Sequence, residues 1–305
     1  MDQQTAASID SVMLNFSPTS LQVLNAILAI VMFSVAIDLK LSDFRKLVTH
    51  PKPMVTGLVS QFLLLPAVTF LLVVLIAPQP SIALGMILVA ACPGGNISNF
   101  LSHRAGSNAA LSVSLTAIAT AGAVVLTPLN IALWGGLYAP TRDILQATSI
   151  DPVSVAITVG LMLVLPLCLG VWLNTARPDV TERLRKPMQW VSMGIFVAFV
   201  VLALSANWAN FLQFAGAVAV LVILHNAIAL LTGYLSATAM RLNHQDRRSV
   251  TIETGIQNSG LGLILIFGFF SGLGGMAVVA AFWGLWHLIS GMVLALLWSR
   301  KAAIS

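Results

Sequence analysis

Two octapeptides carry most of the side chains able to do chemistry: CPGGNISN at 92–99 and ETGIQNSG at 253–260. Each mixes helix-breaking residues with oxygen-bearing side chains. The first holds Ser98 and Asn99; the second holds Glu253, Gln257, Asn258 and Ser259. Elsewhere, Ser112 and Thr116 are four apart and so share a helical face, a stripe that Thr120 extends. Gln61 stands inside another apolar run. Taken singly, Ser112 or Thr116 would read as a packing residue or one bonding back to its own helix. Together with Glu253 the set reads better as ligands for a small hard cation. No adjacent His–Cys cluster of the kind softer metals prefer accompanies these oxygens.

The elements that must position these residues are membrane spans. Of 305 residues, 15 are Lys or Arg and 10 are Asp or Glu, 8% in all. An average soluble domain has roughly 25%. Apolar residues make up 58% and the mean hydropathy is +0.95. That balance excludes a cytosolic enzyme, a disordered chain and a disulfide scaffold. A bilayer crossing takes about 20 apolar residues. The apolar runs predict nine spans, at about 20–38, 54–77, 81–103, 108–136, 152–173, 188–206, 211–240, 249–270 and 276–298. The expected class is therefore an all-α polytopic membrane protein. The N-terminus has Asp2 and Asp10 but no basic n-region, so the first run is expected to be a permanent span rather than a secretory signal.

Charge placement predicts the orientation. With the N-terminus outside and the C-terminus cytoplasmic, 14 of the 15 basic residues fall in cytoplasmic segments, all except Arg142. This is the positive-inside bias, and it explains the net charge of +5 without nucleic acid. Cys92 and Cys168 lack a CxxC spacing and a nearby His, and read as buried free thiols. The single His residues of the apolar runs, His225 and His287, read first as packing or hydrogen-bonding groups.

Both octapeptides fall inside spans. Pro and Gly at 93–95, and Gly255 and Gly260, favour broken helices. Broken backbone at membrane depth is tolerated only within protein or beside a wet cavity. Spans one to four can be matched in opposite orientation with six to nine, leaving the fifth unpaired. Interrupted segments at corresponding places of inverted halves point to a secondary transporter's binding site. Of the ten acids, Glu253 alone falls inside a span. No span contains Lys or Arg, so a bound metal ion or a proton is its natural partner. The half-helix N-termini at the breaks would favour an anionic group such as a carboxylate, with Asn96 and Asn258 placed to add donors.

CPGGNISN, the Ser112/Thr116 stripe, ETGIQNSG and the Trp286–His287 pair together resemble the bile acid:sodium symporter family. FSVAIDLKLSDF at 33–44 and HPKP at 50–53 are similar to its first conserved region, and the resemblance runs over about residues 25–295. It implies two crossing discontinuous helices, a core domain at 54–136 and 211–298, and a panel domain at 20–38 and 152–206. It implies the nine-helix arrangement of the animal members. Two sodium ions are implied, with no organic cofactor. One ion would use Ser98, Asn99, Ser112, Thr116 and Glu253. The other would use Gln61, Glu253, Gln257 and the backbone carbonyls of Thr254 and Ile256. The substrate would meet Asn96, Asn258 and His287. Asn96 stands where bacterial members have Thr, and Leu288 where they have Asn.

The expectation is a sodium-coupled symporter of an organic anion working by alternating access in a bacterial inner membrane. The cargo would be a bile-acid-like steroid or a small carboxylate such as pantoate. The bilayer is its other partner, and neither nucleic acid nor an obligatory protein partner is implied. Rival readings are proton coupling through Glu253, a channel, and an intramembrane serine hydrolase using Ser259 and His287.

Overall fold

In the computed structural model, residues 9–11, 18–37, 49, 51–95, 97–148, 151–206 and 208–302 are described. Among them the chain is helical throughout, apart from turns and one isolated β-bridge. After a short 3-10 turn at Ile9–Ser11, the helices are α1 Pro18–Ala36, α2 Pro51–Ile76, α3 Pro80–Ala91, α4 Ile97–Arg104, α5 Ala109–Leu137 and α6 Ala139–Ala147. Helix α7 runs through Pro152–Val159, Gly160–Val164 and Leu165–Ala176. Then follow α8 Pro178–Ala206, α9 Trp208–Ala239, α10 His244–Gly255, α11 Ser259–Phe269 and α12 Gly274–Ala302. Five of these helices are long and apolar enough to cross a membrane, and two shorter apolar helices, α3 and α11, lie among them. The protein is an all-α polytopic membrane protein.

Each predicted span finds helical counterparts, and the third and eighth are interrupted as expected. Three differences concern boundaries. Helix α6 falls in a segment read as a connection; it alternates polar and apolar faces, so its mean hydropathy is too low to register. Helix α8 begins about ten residues before the predicted span. Pro178 suits a first helical position and Asp179 its positive end. Glu182 and Arg185, paired at 3.0 Å, extend the helix through the basic segment. Likewise Arg247 and Arg248 belong to α10 rather than to a loop.

Helices α2 and α7 share a device. Each contains a π turn, Ser60–Leu64 and Gly160–Val164, that precedes a proline, Pro66 and Pro166. Proline has no N–H to donate and crowds the carbonyl four residues back; one wider turn accommodates both effects. In α2 that turn carries Gln61.

Helix α1 packs chiefly on α7 and α8. Gly170 lets the helices approach closely, since a Cβ there would collide with Ala36. Ser192 Oγ lies 3.2 Å from Ser34 Oγ. The broken helices occupy the centre instead, sheathed by α2, α5, α9 and α12. Every residue from Ser81 to Ala91 of α3 is buried, as are residues 259–266 of α11. Cys92 is buried with them. Cys168, expected to be buried, is exposed. It lies on the side of α7 where Leu165, Leu169 and Trp172 are also exposed, a face a bilayer would cover.

Candidate functional site

The two interruptions meet. Helix α3 ends as Cys92 turns to extended backbone, and α10 ends as Ile256 does the same. Gly94 and Gln257 then form an antiparallel bridge. Gly95 N donates to Ile256 O at 2.6 Å, and Asn258 N donates to Pro93 O at 2.8 Å. The backbone groups freed by the breaks are thus partly satisfied by each other, as membrane depth demands. The glycines are required by proximity. A Cβ at Gly95 would stand 2.9 Å from Gln257 O, and one at Gly94 would collide with the Glu253 carboxylate and approach the Gln61 amide. After the crossing, Asn258 starts α11 by accepting from Leu261 N at 3.0 Å.

The crossing brings the first predicted ligand set together around Glu253, which is 1% exposed. Its Oε2 accepts from Ser98 Oγ at 2.6 Å and Ser112 Oγ at 3.1 Å, and its Oε1 accepts from Thr116 Oγ1 at 2.7 Å. Asn99 Oδ1 lies 3.0 Å from Ser112 Oγ and 3.1 Å from Thr116 Oγ1. Thr116 Oγ1 is also 3.0 Å from Ser112 O. Three hydroxyls therefore face six acceptor approaches. Each hydroxyl has one hydrogen to give. Protonating Glu253 would supply only one more. Those approaches end on four oxygens, so the hydroxyls can serve each side-chain acceptor once but bring no positive charge to an ionised Glu253, which an added cation would.

The second predicted set gathers around Gly94, where a Cβ would meet both the Glu253 carboxylate and the Gln61 amide and where Gln257 forms the bridge. Gln61 is fully buried, and neither its Oε1 nor its Nε2 has a hydrogen-bond partner. Gln257 Nε2 donates to Thr254 O at 2.8 Å, but its Oε1 is unpartnered. The Ile256 carbonyl takes the Gly95 bond and keeps a second lone pair.

Of the proposed substrate residues, Asn96 lies outside the described residues. Asn258 Nδ2 is directed at Met32 Sδ, 3.6 Å away, which links the crossing to α1. His287 is buried with an unpartnered Nδ1. It shares a face of α12 with Gly284, whose Cβ would meet Ser259 Oγ, and Gly291, whose Cβ would meet Leu101 and Ile256. That face packs on the crossing. No hydrogen bond joins Ser259 to His287, so the pair lacks the contact that activating a serine requires.

Two supporting residues escaped sequence reasoning. Ser60 Oγ accepts from Thr254 Oγ1 at 3.0 Å, tying the π turn to α10. Asn226 Nδ2 donates to Gly255 O at 2.8 Å, satisfying a carbonyl at the broken end, and its Oδ1 accepts from Ser290 Oγ at 2.6 Å. An Asn beside a His in an apolar span was the available signal. His225 itself is buried, with Nε2 2.7 Å from Thr69 Oγ1 and its ring against Trp283.

A bundle of apolar helices sheathing two crossed, broken ones belongs to the class of membrane transporters rather than enzymes. The chain belongs to the Sodium Bile acid symporter family, whose profile matches residues 26–214, more than half its length. It is 35% identical to the uncharacterized sodium-dependent transporter YocS of Bacillus subtilis, over 90% of this chain and 82% of that protein. It is 30% identical to the probable sodium/metabolite cotransporter BASS1, chloroplastic, of Arabidopsis thaliana, over 90% of this chain and 66% of the plant protein. It is 26% identical to the human P3 protein, over 87% of this chain and 54% of that one. The chain thus spans about two thirds or less of its plant and animal relatives, and it is a sodium-dependent, multi-pass membrane transporter by family.

Proposed function

We propose that the protein couples the entry of two sodium ions to that of an organic anion by alternating access. The observation that carries this reading is the cage of uncharged oxygens around the buried Glu253 carboxylate. One ion enters that cage, between Ser98, Asn99, Ser112, Thr116 and Glu253. The other sits between Gln61, Glu253, Gln257 and the carbonyls of Thr254 and Ile256, where buried amide oxygens lack partners. Because Ser98 and Asn99 follow one break while Glu253 precedes the other, the ions would hold the two crossed helices together.

Helices α4 and α11 both start at the crossing, and their positive ends favour an anionic group there. Asn96, Asn258 and His287 would contact it. A steroid carboxylate of the bile-acid type or a small carboxylate such as pantoate fits this chemistry. Helices α1, α7 and α8 would form the panel and the remaining spans the core, moving against each other. The N-terminus is placed outside and the C-terminus in the cytoplasm of a bacterial inner membrane.

The test is uptake into proteoliposomes of a panel of radiolabelled carboxylates, including cholate and pantoate, under an inward sodium gradient. Sodium-driven accumulation is expected. Accumulation driven by a pH gradient without sodium would replace this reading with proton coupling.

A further inference from the structure

A cavity of about 240 Å³ lies away from the crossing, between the end of α5, α6, the start of α7 and the end of α11. Its walls are apolar, with Ile131, Val155, Leu265 and Phe270 among them. Gly136 forms part of the wall, and a Cβ placed there would meet nothing within 4 Å. The polar rim includes Arg142, the single basic residue that charge placement assigned to the outer side. Its guanidinium is fixed by Nε donating to Gly136 O at 2.7 Å. Thr141 anchors the same turn, donating to Gly135 O at 2.6 Å. Among the described residues Arg142 makes no ion pair. The flanking side chains Leu129, Leu133, Val153 and Ile157 are exposed, as on a surface that a bilayer covers.

An apolar cavity opening beside a lipid-facing surface, with one held and unpaired cation at its rim, is complementary to a single-chain anionic amphiphile. We propose that it binds a fatty carboxylate drawn from the bilayer, with the carboxylate on Arg142 and the first methylenes against Leu265 and Phe270. Guanidinium matches a carboxylate in geometry as well as charge. Because α7 forms one wall and α5 and α11 the others, an occupant ties α7 to the helices that hold the crossing.

The experiment measures binding of radiolabelled dodecanoate to the protein in phosphatidylcholine nanodiscs. Saturable binding is expected, weakened about tenfold in Arg142→Gln and only partly restored in Arg142→Lys, which returns the charge without the fork. Gly136→Leu, which fills the cavity, should abolish it. Sodium-induced thermal stabilisation of the Arg142 and Gly136 variants reports that they are folded, and the arginine pair carries the test if Gly136→Leu does not fold. Glu253→Gln should bind dodecanoate as the parent does, so this proposal and the sodium assignment fail separately. Equal binding by all variants, or equal binding of dodecanol, would overturn the proposal. So would displacement by pantoate but not by longer fatty carboxylates, because the occupant would then be a cargo rather than a lipid.

Discussion

The two ligand sets gathered near the Glu253 carboxylate are built from different materials. In one, Ser98, Ser112 and Thr116 direct hydroxyls at it and Asn99 adds an oxygen. In the other, Gln61 and Gln257 bring amides whose oxygens have no partner. The hydroxyl side can rest without an ion, because hydroxyl hydrogens rotate to serve whichever acceptor is nearest. The amide side cannot. A buried polar atom without a partner costs about 1–3 kcal/mol, and the π turn of α2 holds Gln61 where it must bear that cost. One side is thus stable when empty and the other is held ready at the expense of stability, so the same ion should change the two by different routes.

The largest effect is expected where the sides join. Glu253→Gln removes the charge both share. Bonds to a charged group are worth about 1.5–3 kcal/mol each, so sodium affinity should fall by roughly a hundredfold or more, and sodium-driven uptake should vanish. Thermal stability measured across a sodium titration checks this; an unchanged sodium response would remove Glu253 from both assignments. Gly94→Ala should come close behind, since the added methyl would strike Glu253 and press on Gln61 together.

Smaller effects of opposite sign should separate the sides. Gln61→Met keeps most of the volume and removes two unpartnered atoms. It should raise sodium-free stability by about 1–2 kcal/mol while removing part of the sodium-induced stabilisation. Thr116→Val deletes a hydroxyl that Glu253 uses. It should lower sodium-free stability by a similar amount, about 1–2 kcal/mol, and weaken sodium binding about tenfold. If both variants shift sodium-free stability in the same direction, the contrast between a rested side and a poised side is wrong.

The hydroxyl side was legible in the sequence because its signals are local. Ser112 and Thr116 are one turn apart, Ser98 and Asn99 are adjacent, and Glu253 is the single acid within an apolar run. The helix breaks announced themselves through Pro and Gly in the same way. What escaped depends on pairing across the fold. Ser60 matters through Thr254, 194 residues away. Asn226 matters because it meets a carbonyl that only the broken end of α10 leaves free. Cys168 shows the limit of hydropathy: an apolar run says that a side chain avoids water, and protein interior and lipid satisfy that equally.

The smallest effect is expected where similar bonds are laid out in water. Asp151 caps α7, accepting from Ser154 Oγ at 2.8 Å, Ser154 N at 3.0 Å and Val153 N at 3.1 Å. The Ser154 hydroxyl first, and then the two backbone N–H groups, hold its carboxyl below the usual carboxylate range. A carboxyl whose pKa is depressed on folding stabilises the fold above its unfolded pKa, and that contribution is lost as pH falls through the folded value. Asp151→Ala should therefore melt slightly below the parent at neutral pH, with the gap closing once the pH drops below about 4. Its sodium response should equal the parent's. Ser154→Ala then gives the worth of one serine–carboxylate bond under solvent, to set against Thr116→Val in the buried cage. If the two substitutions destabilise equally, burial is not what makes the Glu253 cage sensitive to its hydroxyls.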